Sequence, residues 1–327
     1  KLDMVNLNKL YLDGIKIKAN ASKSKTFTKE EIDFLSEFVD KQFSETEKTD
    51  KEEDKEYGES NGEIKIPGNL THKRKLQEKV KEMLKDIGKA KEQMETAKAK
   101  MEEGGVKRIN LTDMDSKMMK MKKGIHYEQA YNCQLLVEDK SEIIVGNYLS
   151  NSPGDMNETI PTMEKFKQEQ KVSLKDVEIF QDNGYSCGTT AEFYEKEEAI
   201  AFIPDKAANR ELHGKTKNIS KFSNDNFELD FKKNQVICPA GNRMEFSRRD
   251  SDRRNKKIWA NIYRTQKCKN CPFRKECVPK GNTQREASIN PQMRKIRLRF
   301  KTKEGLEKYN KRFHKGEAVS QKIVASL

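Results

Sequence analysis

Three acidic residues stand where their carboxylates could share metal ions: Asp13, Asp182 and Glu317. Asp13 lies inside an alternating apolar pattern over residues 9–18, and Asp182 directly follows a short apolar run at 177–180. A carboxylate at a strand end projects into the crevice in which α/β sheets bind ligands. We predict that the three carboxylates hold two Mg²⁺ ions, which prefer oxygen ligands and promote phosphodiester cleavage.

Glu317 would supply its carboxylate from a different element, a final helix predicted over residues 303–325. Asp113 and Asp115 are alternatives for the first carboxylate, but they precede a basic, methionine-rich run and have no strand pattern of their own. We therefore favour Asp13 over both. Asp113 and Asp115 are then interpreted as residues that cap a helix or position a lysine for phosphate binding.

Cysteines form a second group with metal-ligand spacing. A structural Zn²⁺ takes four ligands in a tetrahedral arrangement, and a CxxC pair is typical of such a set. Four buried free thiols and an iron–sulfur cluster are the alternatives. We predict one structural Zn²⁺ bound by Cys238, Cys268, Cys271 and Cys277.

The positive charge of the chain is concentrated in residues 238–301. This segment contains 19 lysines and arginines against 5 acids, a balance of +14, so at a total of +13 the remaining chain sums to −1. Such a local excess, interleaved with aromatic residues, is typical of proteins that bind phosphate backbones. A solvated basic face, or pairing with the acids of residues 28–60, is the alternative. The predicted DNA-binding residues of this segment are Arg248, Arg249, Arg253 and Arg254.

Alternating strand and helix patterns predict how these residues are positioned. After the strand at 9–18 and a long insertion, the patterns follow in the order strand, strand, helix, strand, helix, strand, insertion, helix. This is the order of a ribonuclease H-like α/β domain, a mixed sheet flanked by helices. The predicted segments are strands at 132–138, 142–149, 177–180 and 199–204 and helices at 155–170, 189–198 and 303–325.

The first insertion combines a charged stretch with a heptad pattern. Residues 28–69 are mostly charged and predict a linker or a disordered insertion. The heptad pattern predicts a long coiled-coil or hairpin helix. This helix is either a dimerisation arm, which would make the protein a homodimer, or a helix packed on its own domain or on a partner within 28–70. The heptad positions are Leu76, Val80, Met83, Ile87, Ala90, Met94, Ala97 and Met101.

Composition sets the class of protein. Charged residues make up 36% of the chain and apolar residues 34%, so part of the length is surface and not core. No apolar run of membrane-spanning length exists, and six cysteines without a secretory signal indicate a reducing compartment. The predicted regions are 1–27 (first strand of the catalytic domain), 28–110 (charged linker and coiled-coil insertion), 111–204 (ribonuclease H-like catalytic core), 205–300 (basic insertion with the cysteines) and 301–327 (final helix).

Several segments together resemble the DDE transposases of bacterial insertion sequences, which belong to the ribonuclease H-like, retroviral-integrase superfamily. Around the first two aspartates the similar segments read YLDGIKIKAN (residues 11–20) and DNGY (residues 182–185). Between them, TDMDSKMM and AYNCQ resemble two further family segments. Near the C-terminus, Tyr309, Arg312 and Glu317 have the family's Tyr–Arg–Glu spacing. The resemblance runs in order along essentially the whole chain.

The resemblance implies a function and a set of partners. It implies Mg²⁺-dependent cleavage and strand transfer on double-stranded DNA, at terminal inverted repeats and in target DNA. Tyr309 and Arg312 would contact the backbone of the strand that is cut. It also implies a cytoplasmic, nucleoid-associated bacterial protein without a membrane partner, from which the region that family members place before the first aspartate is missing.

Two positions depart from the family's pattern. Ile15 replaces the usual Thr beside the first aspartate, and the residues after Glu317 keep only part of the family motif. These departures favour an alternative function, a catalytically inactive DNA-binding remnant of a mobile element.

Overall fold

The chain folds into two compact units in this computed structural model. The larger unit comprises Lys1–Ile15, Cys133–Ser150 and Gly154–Leu327, and the smaller unit comprises Lys16–Asn132 and Asn151–Pro153. The structure describes residues 5–52, 66–70, 72–121, 126–205, 208, 221–251, 259–312, 314–315, 318–319 and 322.

The strands and helices follow one another in mixed order. The strands are β1 Lys9–Lys18, β2 Thr26–Thr28, β3 Arg108–Asn110, β4 Lys117–Lys120, β5 Tyr127–Glu138, β6 Ile144–Ser150, β7 Glu178–Phe180, β8 Ile200–Phe202, β9 Glu228–Asp230, β10 Gln235–Ile237, β11 Arg243–Ser251, β12 Trp259–Arg264 and β13 Ala287–Ile289. The helices are α1 Lys29–Glu52, α2 Lys73–Met83, α3 Ile87–Gly104, α4 Thr159–Gln170, α5 Gly188–Lys196, α6 Arg274–Cys277, α7 Pro291–Phe300 and α8 Lys303–Asn310. Among the described residues, no helix has the length and apolar character that a membrane span requires.

The larger unit is built on a sheet in which β1 is a central strand. The strand order is β5-β1-β7-β8, with β6 paired to the other edge of β5. Both β1–β7 and β7–β8 are parallel. Leu10, Tyr11 and Leu12 are all buried, because a central parallel strand is covered on both faces. The sheet thus shields the backbone on either side of Asp13.

Helices α4, α5 and α7 contribute side chains to the apolar core around this sheet. Met163 and Phe166 come from α4, Tyr194 from α5 and Ile296 from α7, all in one cluster with Leu10. Both predicted helices are therefore present with slightly different starts. The helix predicted at 155–170 begins at Thr159, and the helix predicted at 189–198 begins at Gly188. The α/β fold class is confirmed.

A second, antiparallel sheet occupies the basic segment of the larger unit. Its order is β13-β12-β11-β10-β9, and its register shifts between Phe246 and Arg248 on β11. We call residues 227–289 the basic module. Its small core consists of Phe227, Val236, Met244, Tyr263, Ala287 and Ile289. The charged segment is therefore a folded element with its own core.

The heptad positions of the smaller unit lie on two helices, not on one. The helix is interrupted at residues 84–86, where Asp86 caps α3 by accepting a hydrogen bond from the amide of Lys89 at 3.0 Å. One long coiled-coil helix is therefore wrong, because the stripe continues over two successive helices. The stripe packs inside the unit against Leu35 and Val39 of α1. Of the two interpretations, the structure shows packing on a partner within 28–70, and a homodimer stays a prediction.

The start of the predicted linker at 28–69 is also different, since residues 29–52 form α1. The reason is a capping box: the amide of Thr28 donates to Glu31 at 2.8 Å, and the amide of Glu31 donates back to the Thr28 hydroxyl at 3.3 Å. Ile32, Leu35 and Val39 then recur at helical spacing and are buried. Residues 53–65 of the predicted linker lie outside the described residues.

Candidate active site and basic module

Asp13 and Asp182 come from neighbouring parallel strands. In the β1–β7 ladder Lys9 pairs with Glu178 and Tyr11 with Phe180. If this register is continued by two residues, Asp13 stands opposite Asp182. Parallel strands of equal register bring their carboxyl ends to the same edge of the sheet. The structure therefore brings together two of the three predicted catalytic carboxylates.

Arg312 is the direct partner of Asp13. Its Nη2 donates to Asp13 Oδ1 at 3.1 Å, and the two side chains are only 3% and 8% exposed. Asp13 Oδ2 is buried and has no hydrogen-bond partner among the described residues. One oxygen of Asp13 is thus bound to a cation of the protein, while the other is left for a further ligand.

Asp155 is a third carboxylate of this site that the sequence patterns did not predict. A Cβ atom added to Gly14 would lie 2.7 Å from Asp155 Oδ1, and one added to Gly184 would lie 3.6 Å from Asp155 Oδ2. Asp155 therefore packs against the backbone beside both Asp13 and Asp182. The signal in the sequence was a Pro-Gly turn before Asp155 at the end of β6, but only the sheet order shows what that turn approaches.

A buried chain of hydrogen bonds holds Asp155. The hydroxyl of Tyr185 donates to Gln134 Oε1 at 2.5 Å, and Gln134 Nε2 donates to Asp155 Oδ1 at 3.3 Å. Burial raises the pKa of Tyr185 well above its usual value, and the negative charges of Asp155, Asp13 and Asp182 raise it further. Tyr185 consequently stays a protonated donor that orients the glutamine.

Asp182 is held at the start of a short 3-10 turn at Asn183–Tyr185, where its Oδ1 accepts from the amide of Gly184 at 2.7 Å. Burial raises the pKa of the Asp182 carboxyl. Asp13 and Asp155 raise it further, whereas Arg312 and the Gly184 amide lower it. Desolvation and neighbouring negative charge both disfavour the ionised carboxylate of Asp182. A cation bound there would offset this cost.

The carboxylate oxygens of Asp13, Asp155 and Asp182 are suitable ligands for a hard divalent cation, although they do not converge on one position. Within the described part of the chain, no three acidic, histidine or cysteine side chains form a group close enough to hold a metal ion. Asp13 Oδ2 is buried without a hydrogen bond among the described residues, and it nevertheless fits such an ion as an oxygen ligand. The absence of a side chain at Gly14 lets the carboxylate of Asp155 lie close to the same strand.

The remaining predicted residues of the site have different environments. Glu317 falls outside the described residues. Tyr309 is 5% exposed and packs edge-on against Phe300 at a centroid distance of 4.9 Å. The ring of Tyr309 is thus part of the core, and its predicted contact with DNA stays a prediction that this burial does not favour.

The alternative first carboxylates are engaged in local structure in the smaller unit. Asp113 Oδ1 accepts from the hydroxyl of Tyr131 at 2.7 Å and from the amide of Ser116 at 3.1 Å. Asp115 pairs with Lys100 at 2.7 Å. Asp113 therefore closes a turn before β4 and does not cap a helix.

Comparison with known proteins adds one finding. Residues 237–327 match the family model described as "Transposase DDE domain". This match supports a DDE transposase. No curated protein and no solved structure matches the chain. The matched region includes Arg312 and the position of Glu317, while Asp13 and Asp182 precede it.

The four predicted zinc ligands of this transposase-like region line one small pocket together. Burial raises the pKa of the Cys277 thiol, and the other three cysteines raise it further where they would carry charge. Arg274 ties the surrounding loops together by donating to the carbonyls of Cys268 and Thr283 at 3.2 and 2.7 Å. Among the described residues, the spacing of these thiols is not that of an assembled metal site.

Arg248 and Arg249 of the basic module are exposed and pair with acidic side chains. Arg248 bonds to Asp250 at 3.3 Å and to Glu286 at 3.4 Å. Arg249 pairs with Glu192 at 3.0 Å and stacks on Trp259 at 3.6 Å. Arg253 and Arg254 lie outside the described residues.

Proposed function

We propose that this protein is a transposase that cleaves DNA strands and transfers them at the ends of an insertion sequence. The observation that carries the proposal is the placement of Asp13 and Asp182 at the same edge of adjacent parallel strands, with Asp155 packed against the backbone at Gly14 and Gly184. The transposase DDE domain match over residues 237–327 supports it independently.

The proposed metal ligands are Asp13, Asp182 and Glu317, with Asp155 as an additional carboxylate. Two Mg²⁺ ions bound there would activate the attacking hydroxyl and stabilise the departing oxygen of the phosphodiester. The donor set is suitable because hard cations prefer carboxylate oxygens. Asp13 Oδ2 is the described oxygen best placed for this role, since it is buried and has no hydrogen-bond partner among the described residues.

The protein's own residues position these carboxylates. Arg312 offsets the charge of Asp13, so that several acids can be held in a desolvated site at once. Gly14 lets Asp155 approach β1, because any side chain there would displace it. In the proposed reaction a hydroxyl oxygen bonds to phosphorus while the bridging P–O bond breaks, and the departing oxygen takes up a proton.

We infer a ribonuclease H-like arrangement for the larger unit from its element order and its strand order β6-β5-β1-β7-β8. The basic module is the proposed phosphate-binding surface, because Arg248 and Arg249 are exposed and their acidic partners can be exchanged for phosphates. Terminal inverted repeats and target DNA are the proposed substrates.

Nicking of a linear duplex in the presence of Mg²⁺ tests the proposal. Asp182→Asn and Glu317→Gln should each abolish cleavage while DNA binding is largely retained. Asp115→Asn is the matched control and should cleave like the unchanged protein. Cleavage by Asp182→Asn, or loss of cleavage in Asp115→Asn, would overturn the carboxylate assignment. DNA binding without cleavage by the unchanged protein would favour an inactive remnant.

We also propose that the four cysteines bind one structural Zn²⁺, because they line a single pocket at the centre of the basic module's loops. Zinc thiolates would cross-link these loops beside a small apolar core. Elemental analysis of the purified protein should give about one zinc per chain. Cys271→Ser should lose the zinc, whereas Cys133→Ser should keep it. A preparation with neither zinc nor iron would exclude a metal site here.

A further inference from the structure

A cavity of about 790 Å³ opens within the smaller unit, beside β2, the first turns of α2 and Arg108 of β3. We call it the α2 groove. It is more basic than acidic, although the chain outside the basic segment has almost no net charge. Its cations are Lys23, Lys25, Arg74, Lys75, Lys79 and Arg108, against the acids Glu31, Glu78 and Glu82.

The N-terminus of α2 faces this groove with an unusual first turn. Lys73, Arg74 and Lys75 occupy the turn, which contains no acidic residue. His72 precedes them with φ of 61° and makes no side-chain cap among the described residues. The first amides of a helix lack partners within the helix, and its dipole disfavours cations at this end. A bound anion would accept hydrogen bonds from these first amides and would offset the positive charge at this end of the helix.

Arg74 pairs with Glu78 and Lys79 with Glu82. Lys75 has both an acidic and a basic neighbour, Glu31 and Arg108. Its ammonium lies 3.9 Å from Glu31 and 3.9 Å from the ring centroid of Phe27, in a half-buried position. Burial lowers the pKa of Lys75, Glu31 opposes this effect, and the charge of Arg108 lowers the pKa further. An anion between Lys75 and Arg108 would remove this repulsion.

We propose that the α2 groove binds the phosphate backbone of DNA, as a contact surface separate from the basic module. That the polyanion is DNA rests on the proposed function, whereas the anion preference rests on the groove itself. Lys25, Arg74 and Arg108 come from three different elements along an open cavity much larger than one phosphate. Successive phosphates of one strand would fit such a row of cations.

The test compares variants of the full chain in binding a random-sequence duplex over a range of salt concentrations. Lys25→Gln, Arg74→Gln and Arg108→Gln together should reduce the slope of log K against log salt by about 2.7, at roughly 0.9 for each phosphate that is no longer neutralised. These side chains are exposed, so folding should be retained. The charge-preserving set Lys25→Arg, Arg74→Lys and Arg108→Lys should keep the slope. The control set Lys81→Gln, Lys85→Gln and Lys89→Gln removes three exposed charges that do not line the groove. This set should leave the slope unchanged.

Amine acylation read by mass spectrometry locates the contact. Duplex DNA should protect Lys25 and Lys75 more than Lys85 and Lys89. If the unchanged protein binds and cleaves DNA while the groove variant keeps its full slope, the groove proposal is wrong and the proposed function stands. If the unchanged protein binds no duplex, both fail. Equal protection by inorganic phosphate alone would show a small-anion site and would also overturn the proposal.

Discussion

Arg312 and the arginines of the basic module carry the same charge in opposite surroundings. Arg312 is 3% exposed and faces an equally buried Asp13, whereas Arg248 and Arg249 are 42% and 55% exposed and pair with surface acids. Removing one member of a buried pair leaves an uncompensated charge, while an exposed pair is weakened by water and salt. The buried arginine can therefore organise a site, and the exposed ones can exchange an acid for a phosphate at little cost.

The largest expected effect is on the buried pair. Asp13→Leu and Arg312→Met should each reduce the free energy of unfolding by about 3–5 kcal/mol, because each removes one member of a buried ion pair. The double variant should recover part of this loss, since the charges of Asp13 and Arg312 are then both gone while Asp182 loses the favourable charge of Arg312. Urea denaturation of the three variants measures the coupling. Single-variant losses below about 1 kcal/mol would show that the pair is effectively solvated.

Gly14→Ala should have the next largest effect. The added methyl would lie 2.7 Å from Asp155 Oδ1 and 2.9 Å from Gln134 Nε2, so these groups must move. We expect a loss of about 1–3 kcal/mol in stability and a larger fractional loss of cleavage. Gly154→Ala is the control, because nothing lies within 4 Å of its added methyl. Equal behaviour of the two variants in denaturation and nicking assays would contradict the close approach of Asp155 to β1.

Asp182→Asn should have a smaller, pH-dependent effect on stability. The folded state raises the pKa of Asp182 above its usual 3.8, so stability is lost as pH rises from 3.8 to the raised value, and the loss persists at higher pH. The variant should therefore gain stability relative to the unchanged protein over that interval, and show no such gain below pH 3.8. Urea midpoints at a series of pH values measure the difference. Asp250→Asn, at an exposed position, is the control variant.

Substitution of the basic module's arginines should change stability least and DNA binding most clearly. Arg248, Arg249, Arg253 and Arg254 replaced together by glutamine should weaken binding to specific and random duplexes alike. The salt slope should fall by roughly 0.9 for each phosphate that the variant no longer binds. The corresponding lysine set keeps the charge and should retain most of the slope. A lower melting temperature with an unchanged slope would mean that the arginines serve only their ion pairs.

Local patterns in the sequence predicted most of the elements of the larger unit. The alternation around Asp13 became β1, and the apolar run before Asp182 became β7. These predictions succeeded because the period of buried residues is a property of adjacent positions. The capping box at Thr28 and Glu31 was equally local, and it would have predicted α1 at the start of the charged linker.

Other features depended on residues far apart in the chain. The heptad stripe determined which side of α2 and α3 is apolar, but it could not determine whether α1 or a second chain covers that side. Asp155 became part of the carboxylate site because the sheet order places the end of β6 near β1, and the pairing of Asp13 with Arg312 joins positions 299 residues apart. The sequence by itself determined the elements and the candidate acids. Only the tertiary structure decided which acids are neighbours, because desolvation and charge pairing depend on distances that no local pattern contains.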